Sequence, residues 1–189
     1  MRVLIAEDEA LIRMDLREML EEEGHEVVGE ARDGAEAVRL ATEVRPDVVF
    51  MDINMPGVSG IEAAQALADD QIAPVVMVTA FSQASYVAQA SEAGAMAYVV
   101  KPFTRADIVP AMTLAAARYA EATALVAEVA DLSERLETRK AVDRAKAVLM
   151  GRGMTEAEAF RRLQKLAMDK RKTLREVADA ILLASEAEE

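Results

Sequence analysis

The sequence predicts a five-stranded parallel α/β sheet followed by a small all-helical module. Three observations carry this. Short apolar runs alternate with amphipathic stretches through the first part of the chain, the pattern of repeated βα units. Residues 2–6 and 47–52 are near-continuous apolar runs, as parallel strands buried on both faces are. Beyond about residue 119 strand signals vanish, and glycine returns only at 151 and 153.

Strands are expected near 2–6, 25–30, 47–52, 74–79 and 96–100. Helices are expected near 9–23, 34–44, 60–69, 84–93 and 105–118. Gly24 suits the left-handed position that ends the first helix. Asp33 with Glu36, Ser59 with Glu62, and Thr104 with Asp107 have the spacing of an N-cap and its third helical residue. The last pair is weaker, because aspartate stands where the capping box prefers Glu or Gln.

Residues 105 to about 150 read as one long helix or two nearly continuous ones. Ala115, Arg118, Ala122, Leu125, Val129, Leu132, Leu136 and Arg139 recur at spacings of three and four, a short heptad seam. Two readings compete: a coiled coil, or a linker helix packed on its own domain. Thr155 with Glu158 and Thr173 with Glu176 are capping boxes that open two further helices. Ala159, Phe160, Leu163, Leu166 and Ala167 give the first of these an apolar face. Leu174, Val177, Ala178, Ile181 and Leu182 do so in the second.

The 189 residues suffice for one domain and a smaller appendage. With no cysteine, neither a disulfide nor a thiolate metal site is possible. The N-terminus enters a strand directly, and no apolar run reaches the ~18 residues of a membrane helix. A soluble cytoplasmic protein with no membrane partner is expected. The net charge of −12 is unevenly spread. Residues 1–138 hold 10 basic against 25 acidic residues, whereas 139–175 hold 12 against 4. The basic segment is either a contact for a polyanion or a solvated helix face.

The chemistry lies at the strand ends. The first strand ends in Glu7-Asp8 and the third in Asp52, followed by the turn Asn54-Met55-Pro56-Gly57. The fourth ends in Thr79-Ala80 and the fifth in Lys101-Pro102. Open α/β sheets bind ligands at the C-terminal ends of their strands. Clustered acids hold a divalent cation. A carboxylate beside that cation, with a lysine and a hydroxyl to hold an anion, is a phosphoryl acceptor.

As an ordered set, these residues make 1–118 resemble the receiver domain of response regulators in two-component systems. The resemblance implies a doubly wound, flavodoxin-like sheet of order 2-1-3-4-5, with the site at the switch point between strands 1 and 3. It implies phosphorylation at Asp52, with Mg²⁺ held by Asp8, Asp52 and the backbone carbonyl of Asn54. Glu7 replaces a more usual aspartate, leaving direct or water-mediated metal contact open. Lys101 and Thr79 would hold phosphoryl oxygens, and Tyr98 is the switch aromatic that turns inward when the hydroxyl moves. The plainer alternatives are an ion pair for Lys101, a backbone-capping hydroxyl for Thr79 and a half-exposed strand aromatic for Tyr98. His25 has no partner motif and reads as a structural surface residue.

Arg139-Lys140, Ala145-Lys146, Leu149-Met150, Ala159-Phe160, Ala167-Met168, Leu174 and Val177-Ala178 make 139–182 resemble the ANTAR domain, an all-helical RNA-binding module of antitermination regulators. Ala147 departs from the family, which often has glycine there. The implied division is receiver 1–118, helical linker or coiled coil 119–138, and RNA-binding domain 139–189. The implied partners are a sensor histidine kinase and RNA hairpins, with the RNA polymerase elongation complex indirectly. A homodimer forming on phosphorylation is a further expectation.

The expected RNA contacts are Arg139, Lys140, Arg144, Lys146, Arg161, Arg162, Lys165, Lys170 and Arg171, which would neutralise phosphates. Each is equally readable as a solvated side chain. Phe160 offers a stacking surface, but its helical phase favours core packing. Met150 and Met168 are likewise read as core. Two other functions compete. A DNA-binding regulator needs a helix-turn-helix, and the tail shows no convincing one. A phosphatase using an aspartate nucleophile commonly has an acid two residues later, where this chain has Asn54. The chain is therefore read as a regulator and not an enzyme.

Overall fold

The computed structural model describes residues 1–80 and 84–186. The last three residues of the predicted 139–189 segment, 187–189, lie outside the described residues. Two compact units are present, 1–124 and 125–189.

The first unit is a five-stranded parallel sheet of order β2-β1-β3-β4-β5 with helices on both faces. Its strands are β1 (Arg2–Ala6), β2 (Glu26–Ala31), β3 (Val48–Asp52), β4 (Val75–Thr79) and β5 (Ala97–Val100). Between them run α1 (Ala10–Glu22), α2 (Gly34–Val44), α3 (Gly60–Asp69) and α4 (Ala84–Glu92). Side chains alternate across the sheet. Leu4, Ala6, Val49, Met51, Val75 and Met77 pack with α2 and α3 on one face. Val3, Ile5, Val48, Phe50, Val76 and Val78 pack on the other with Leu16 and Leu20 of α1 and with Ile108 and Met112. Both faces of the central strands are thus buried, which accounts for their unbroken apolar sequence.

The caps form as the spacing predicts. Asp33 accepts from the Glu36 amide, and Ser59 with Glu62 makes a reciprocal capping box. Gly24 is left-handed at φ +78° where α1 ends. At Thr104 the exchange is one-sided: the Asp107 carboxylate accepts from the Thr104 amide and hydroxyl.

The helix expected from 105 forms, and of the two readings of 105–150 it follows the first. It continues as one helix, α5 (Arg105–Gly151), because no glycine or turn residue interrupts 119–150. In the second unit, α6 (Glu156–Lys170) and α7 (Leu174–Glu186) follow, opened by the boxes at Thr155 and Thr173. Val142, Ala145, Leu149, Ala159, Leu163, Ala167, Val177 and Ala178 form its core. Four of those eight are alanines, so the three helices approach closely.

Candidate functional site

Three acids meet at the C-terminal edge of the sheet. Glu7 and Asp8 follow β1, and Asp52 ends the neighbouring strand β3. One carboxylate oxygen from each lies within 4.8 Å of the others. Glu7 and Asp52 are buried and Asp8 is exposed, so the cluster opens to solvent on the Asp8 side. Lys101 follows β5 and extends its ammonium to 2.6 Å from Glu7 Oε2 and 3.3 Å from Asp52 Oδ2. Thr79 is buried at the end of β4, and its carbonyl accepts from the Lys101 amide at 2.7 Å.

The loops are held to this geometry. The amide of Ile53 donates to Asp52 Oδ1 at 2.9 Å. Gly60 starts α3 directly against β3: a Cβ there would sit 1.8 Å from the Asp52 carbonyl oxygen. Only glycine allows that approach. Asn54 lies exposed in the same β3–α3 loop, two residues beyond Asp52. Tyr98 lies on β5 and is 52% exposed.

Burial pushes the Glu7 carboxyl above its usual range, and neighbouring Asp52 adds to the rise, against the pull of Lys101. Burial does the same to Asp52, again opposed by Lys101. For Lys101, burial works against the charged form, but Glu7 and Asp52 more than offset it and its pKa is raised. The site therefore concentrates negative charge in a partly dry place, with Lys101 as the cation set against the carboxylates. Apart from the lysine ammonium, Glu7 Oε2 has no partner among the described residues. Hard oxygen donors at this spacing, one of them otherwise unsatisfied, fit Mg²⁺.

Arg13 is a site residue that the sequence reading missed. It is buried on α1, donating to the Glu7 carbonyl at 2.6 Å and the Asp8 carbonyl at 3.4 Å. Its Nε pairs with Glu30 at 3.0 Å, and Arg17 also pairs with Glu30. The signal was available. Arg13, Leu16 and Leu20 share the three-and-four spacing of the buried stripe, and an arginine in such a stripe needs buried acceptors.

In the second unit the nine expected RNA contacts divide by their neighbours. Lys146 is held by Asp143 at 2.8 Å and Glu156 at 2.9 Å. Lys140 pairs with Glu137 at 2.9 Å, and Arg139 faces Asp143 at 4.0 Å. Arg144, Arg161, Arg162, Lys165, Lys170 and Arg171 have no carboxylate at ion-pair distance among the described residues. Arg161, Arg162 and Lys165 line an open cleft of about 440 Å³ with Gly153, Met154 and Glu158.

The structure corrects three core assignments. Phe160 is 38% exposed, Met168 is 80% exposed and Met150 is 45% exposed. The buried stripe of α6 is Ala159, Leu163 and Ala167, and Phe160 is rotated about 100° away from Ala159. The heptad seam is also uncovered in the single chain: Leu125, Val129, Leu132 and Leu136 are 53% to 59% exposed.

Residues 3–113 match the family described as the response regulator receiver domain, and residues 130–182 match the ANTAR domain. Transcriptional regulatory protein PdtaR of Mycobacterium tuberculosis is 59% identical over 182 residues, 96% of this chain and 89% of that protein. Chemotaxis protein CheY of Thermotoga maritima is 41% identical over 112 residues, 59% of this chain and 93% of that protein. Among solved structures, a CheX–CheY complex from Borrelia burgdorferi containing BeF3 and Mg+2 aligns with TM-score 0.57 and 30% identity. It covers 59% of this chain and 86% of that one.

Proposed function

Because the chain belongs to the response-regulator family, as a receiver domain joined to an ANTAR domain, we propose that phosphorylation of Asp52 controls its binding to hairpin RNA and thereby transcription antitermination. A two-component response regulator takes its phosphoryl group from a partner sensor kinase. The carrying observation is the Asp52 carboxylate at a strand end, grouped with Glu7 and Asp8 and 3.3 Å from Lys101.

In this reading Asp52 attacks the phosphorus of a phosphohistidine on the sensor kinase. A P–O bond forms to the Asp52 carboxylate as the P–N bond breaks, and the electron pair of that bond stays with the imidazole. Asp8, Asp52 and the Asn54 carbonyl would hold Mg²⁺, with Glu7 beside them. When bound, the ion supplies charge neutralisation at the phosphoryl oxygens. Lys101 moves its charge from the carboxylates to one phosphoryl oxygen, and the Thr79 hydroxyl takes another. Tyr98, exposed on β5, would then turn inward. The chain's own chemistry is confined to this one phosphoryl group, accepted on Asp52 and slowly lost by autodephosphorylation, so it acts as a regulator and not as an enzyme.

The working division is receiver 1–118, linker 119–138 and RNA-binding domain 139–189. A basic helical surface binds RNA through phosphates, and reads sequence only where bases are unpaired. The exposed stripe Leu125, Val129, Leu132 and Leu136 supports dimerisation on phosphorylation. A dimer presents two basic modules to two hairpins, which raises avidity. Bound hairpins would then keep the RNA polymerase elongation complex from terminating.

No helix of the described residues is long and apolar enough to cross a membrane. A cytoplasmic location, beside nascent RNA, is part of the proposal.

Two measurements test this reading together. Mass spectrometry after treatment with a small phosphoryl donor should place an acid-labile phosphate on Asp52. Crosslinking of the phosphorylated chain in cells, with sequencing, should recover RNA hairpins. Recovery of duplex DNA instead would support the alternative regulator, and turnover of a phosphomonoester would support a phosphatase.

A further inference from the structure

The outer face of α6 carries an arrangement that phosphate neutralisation does not require. Phe160, Gln164 and Met168 recur every four residues and all three are exposed. Residues four apart stand one above another on a helix, about 6 Å apart along its axis. Arg161 and Lys165 run beside them, one position on. A soluble helix gains nothing by leaving a phenyl ring and a thioether in water, whereas the small alanines beside them are buried.

Three of the four expected contacts on α5, Arg139, Lys140 and Lys146, face carboxylates; Arg144 does not among the described residues. Neither Arg161 nor Lys165 meets a carboxylate at ion-pair distance among the described residues, and both line the open cleft. Glu158, the one acid in that cleft, accepts from the Thr155 amide and hydroxyl at the helix start. By contrast, Lys146 is 17% exposed and lies between two carboxylates. Its ammonium closes α5 against the start of α6.

We infer that the outer face of α6 binds one unpaired loop base of RNA, with Phe160 stacked on the base and Arg161 and Lys165 on the flanking phosphates. This rests on the RNA-binding reading above. An aromatic ring beside cations is the surface that single-stranded nucleic acid recognises, because every base has a π-face. A paired duplex has no free base to offer it, so the partner is a hairpin loop and not the stem. Gln164 places an amide, donor and acceptor both, where it meets the edge of the stacked base. Lys146 is assigned a structural role and not an RNA contact.

The test uses the full chain and a pool of hairpins sharing one stem with a randomised loop. Wild-type protein selects from the pool. The enriched hairpin is then remade with an abasic site at each loop position in turn, and the bare stem serves as a blunt duplex. Phe160→Leu should weaken the enriched hairpin about fivefold or more. It should leave binding to the blunt duplex and the salt slope unchanged, and Phe160→Trp should retain wild-type affinity. One abasic position should abolish the difference between wild type and Phe160→Leu. The inference is overturned if Phe160→Leu binds the enriched hairpin as wild type does, or if it loses hairpin and duplex equally. If wild-type protein, phosphorylated or not, binds no RNA in the pool, the RNA-binding reading itself fails.

Discussion

The Lys101 ammonium stands closer to Glu7, at 2.6 Å, than to Asp52, at 3.3 Å. An aspartate at position 7 would be one methylene shorter. On the proposed reading, the lysine that would hold a phosphoryl oxygen starts on a carboxylate other than Asp52. Phosphorylation at Asp52 would then draw it across, and the departing charge would leave Glu7 buried without its partner.

The acceptor assignment gives the first prediction. Asp52→Asn keeps shape and removes the nucleophile, so phosphoryl uptake from a small donor should fall to background. Thermal melting should remain cooperative, since Asp52 is opposed to its own buried site. Acid-labile phosphate gained at the wild-type rate would show that another residue accepts the group.

Divalent cation binding gives the second. Burial raises the Glu7 and Asp52 carboxyls, so ionising them costs stability in the metal-free protein. Mg²⁺ should raise the melting temperature of the receiver, and Asp8→Ala should remove most of the increase. Protons compete for the same oxygens. The Mg²⁺ increment should be largest above the raised carboxyl range and shrink as pH falls through it. Equal increments in Asp8→Ala and wild type would take Asp8 out of the metal site.

Much of this site was legible because strand ends are punctuated in sequence. Glu7-Asp8, Asp52, Thr79 and Lys101 each terminate an apolar run, and parallel strands bring such ends to one edge. The capping residues Asp33, Ser59, Thr155 and Thr173 were legible for a local reason, since each bonds within three positions. The lysine's preference for Glu7 was not legible, because it depends on distances between three different strands. The exposure of Phe160 was hidden by phase. Ala159 and Phe160 are adjacent apolar residues, and periodicity could not choose between them. Close packing of α5, α6 and α7 chose the smaller one. Arg13 was overlooked because its acceptors are the carbonyls of the acid pair.

The second unit's core supplies the third prediction. Leu163 is fully buried among Ala145, Ala159 and Val177. Leu163→Ala should destabilise that unit by about 2–5 kcal/mol. Hydrogen exchange should rise across α6 and α7 and stay unchanged in the sheet. RNA binding should fall while phosphoryl uptake is retained. Parallel loss of both would show that the two units fold as one.

The exposed seam supplies the fourth. Leu132→Asp puts a charge in the middle of an apolar stripe. Sedimentation should show phosphorylated wild type dimerising more readily than unphosphorylated protein, with Leu132→Asp monomeric in both states. Phosphoryl uptake should be unaltered. If Leu132→Asp dimerises as wild type does, the interface lies elsewhere.

The split among cations supplies the fifth. Lys146→Met removes a charge already neutralised by Asp143 and Glu156, so RNA affinity should change less than twofold and the salt slope not at all. Paired substitution of Arg162 and Lys165 by alanine should lower the salt slope by roughly two. The reverse ranking would place the RNA contact on α5.

The proposed function stands on the coupling of Asp52 to RNA. The direct measurement is titration of one two-hairpin RNA with phosphorylated and unphosphorylated full chain at several salt concentrations, with Asp52→Asn carried through the same donor treatment. Binding should tighten after treatment in wild type alone, with affinity falling steeply as salt rises in both states. Equal affinity before and after phosphorylation, or a salt slope near zero, would contradict it.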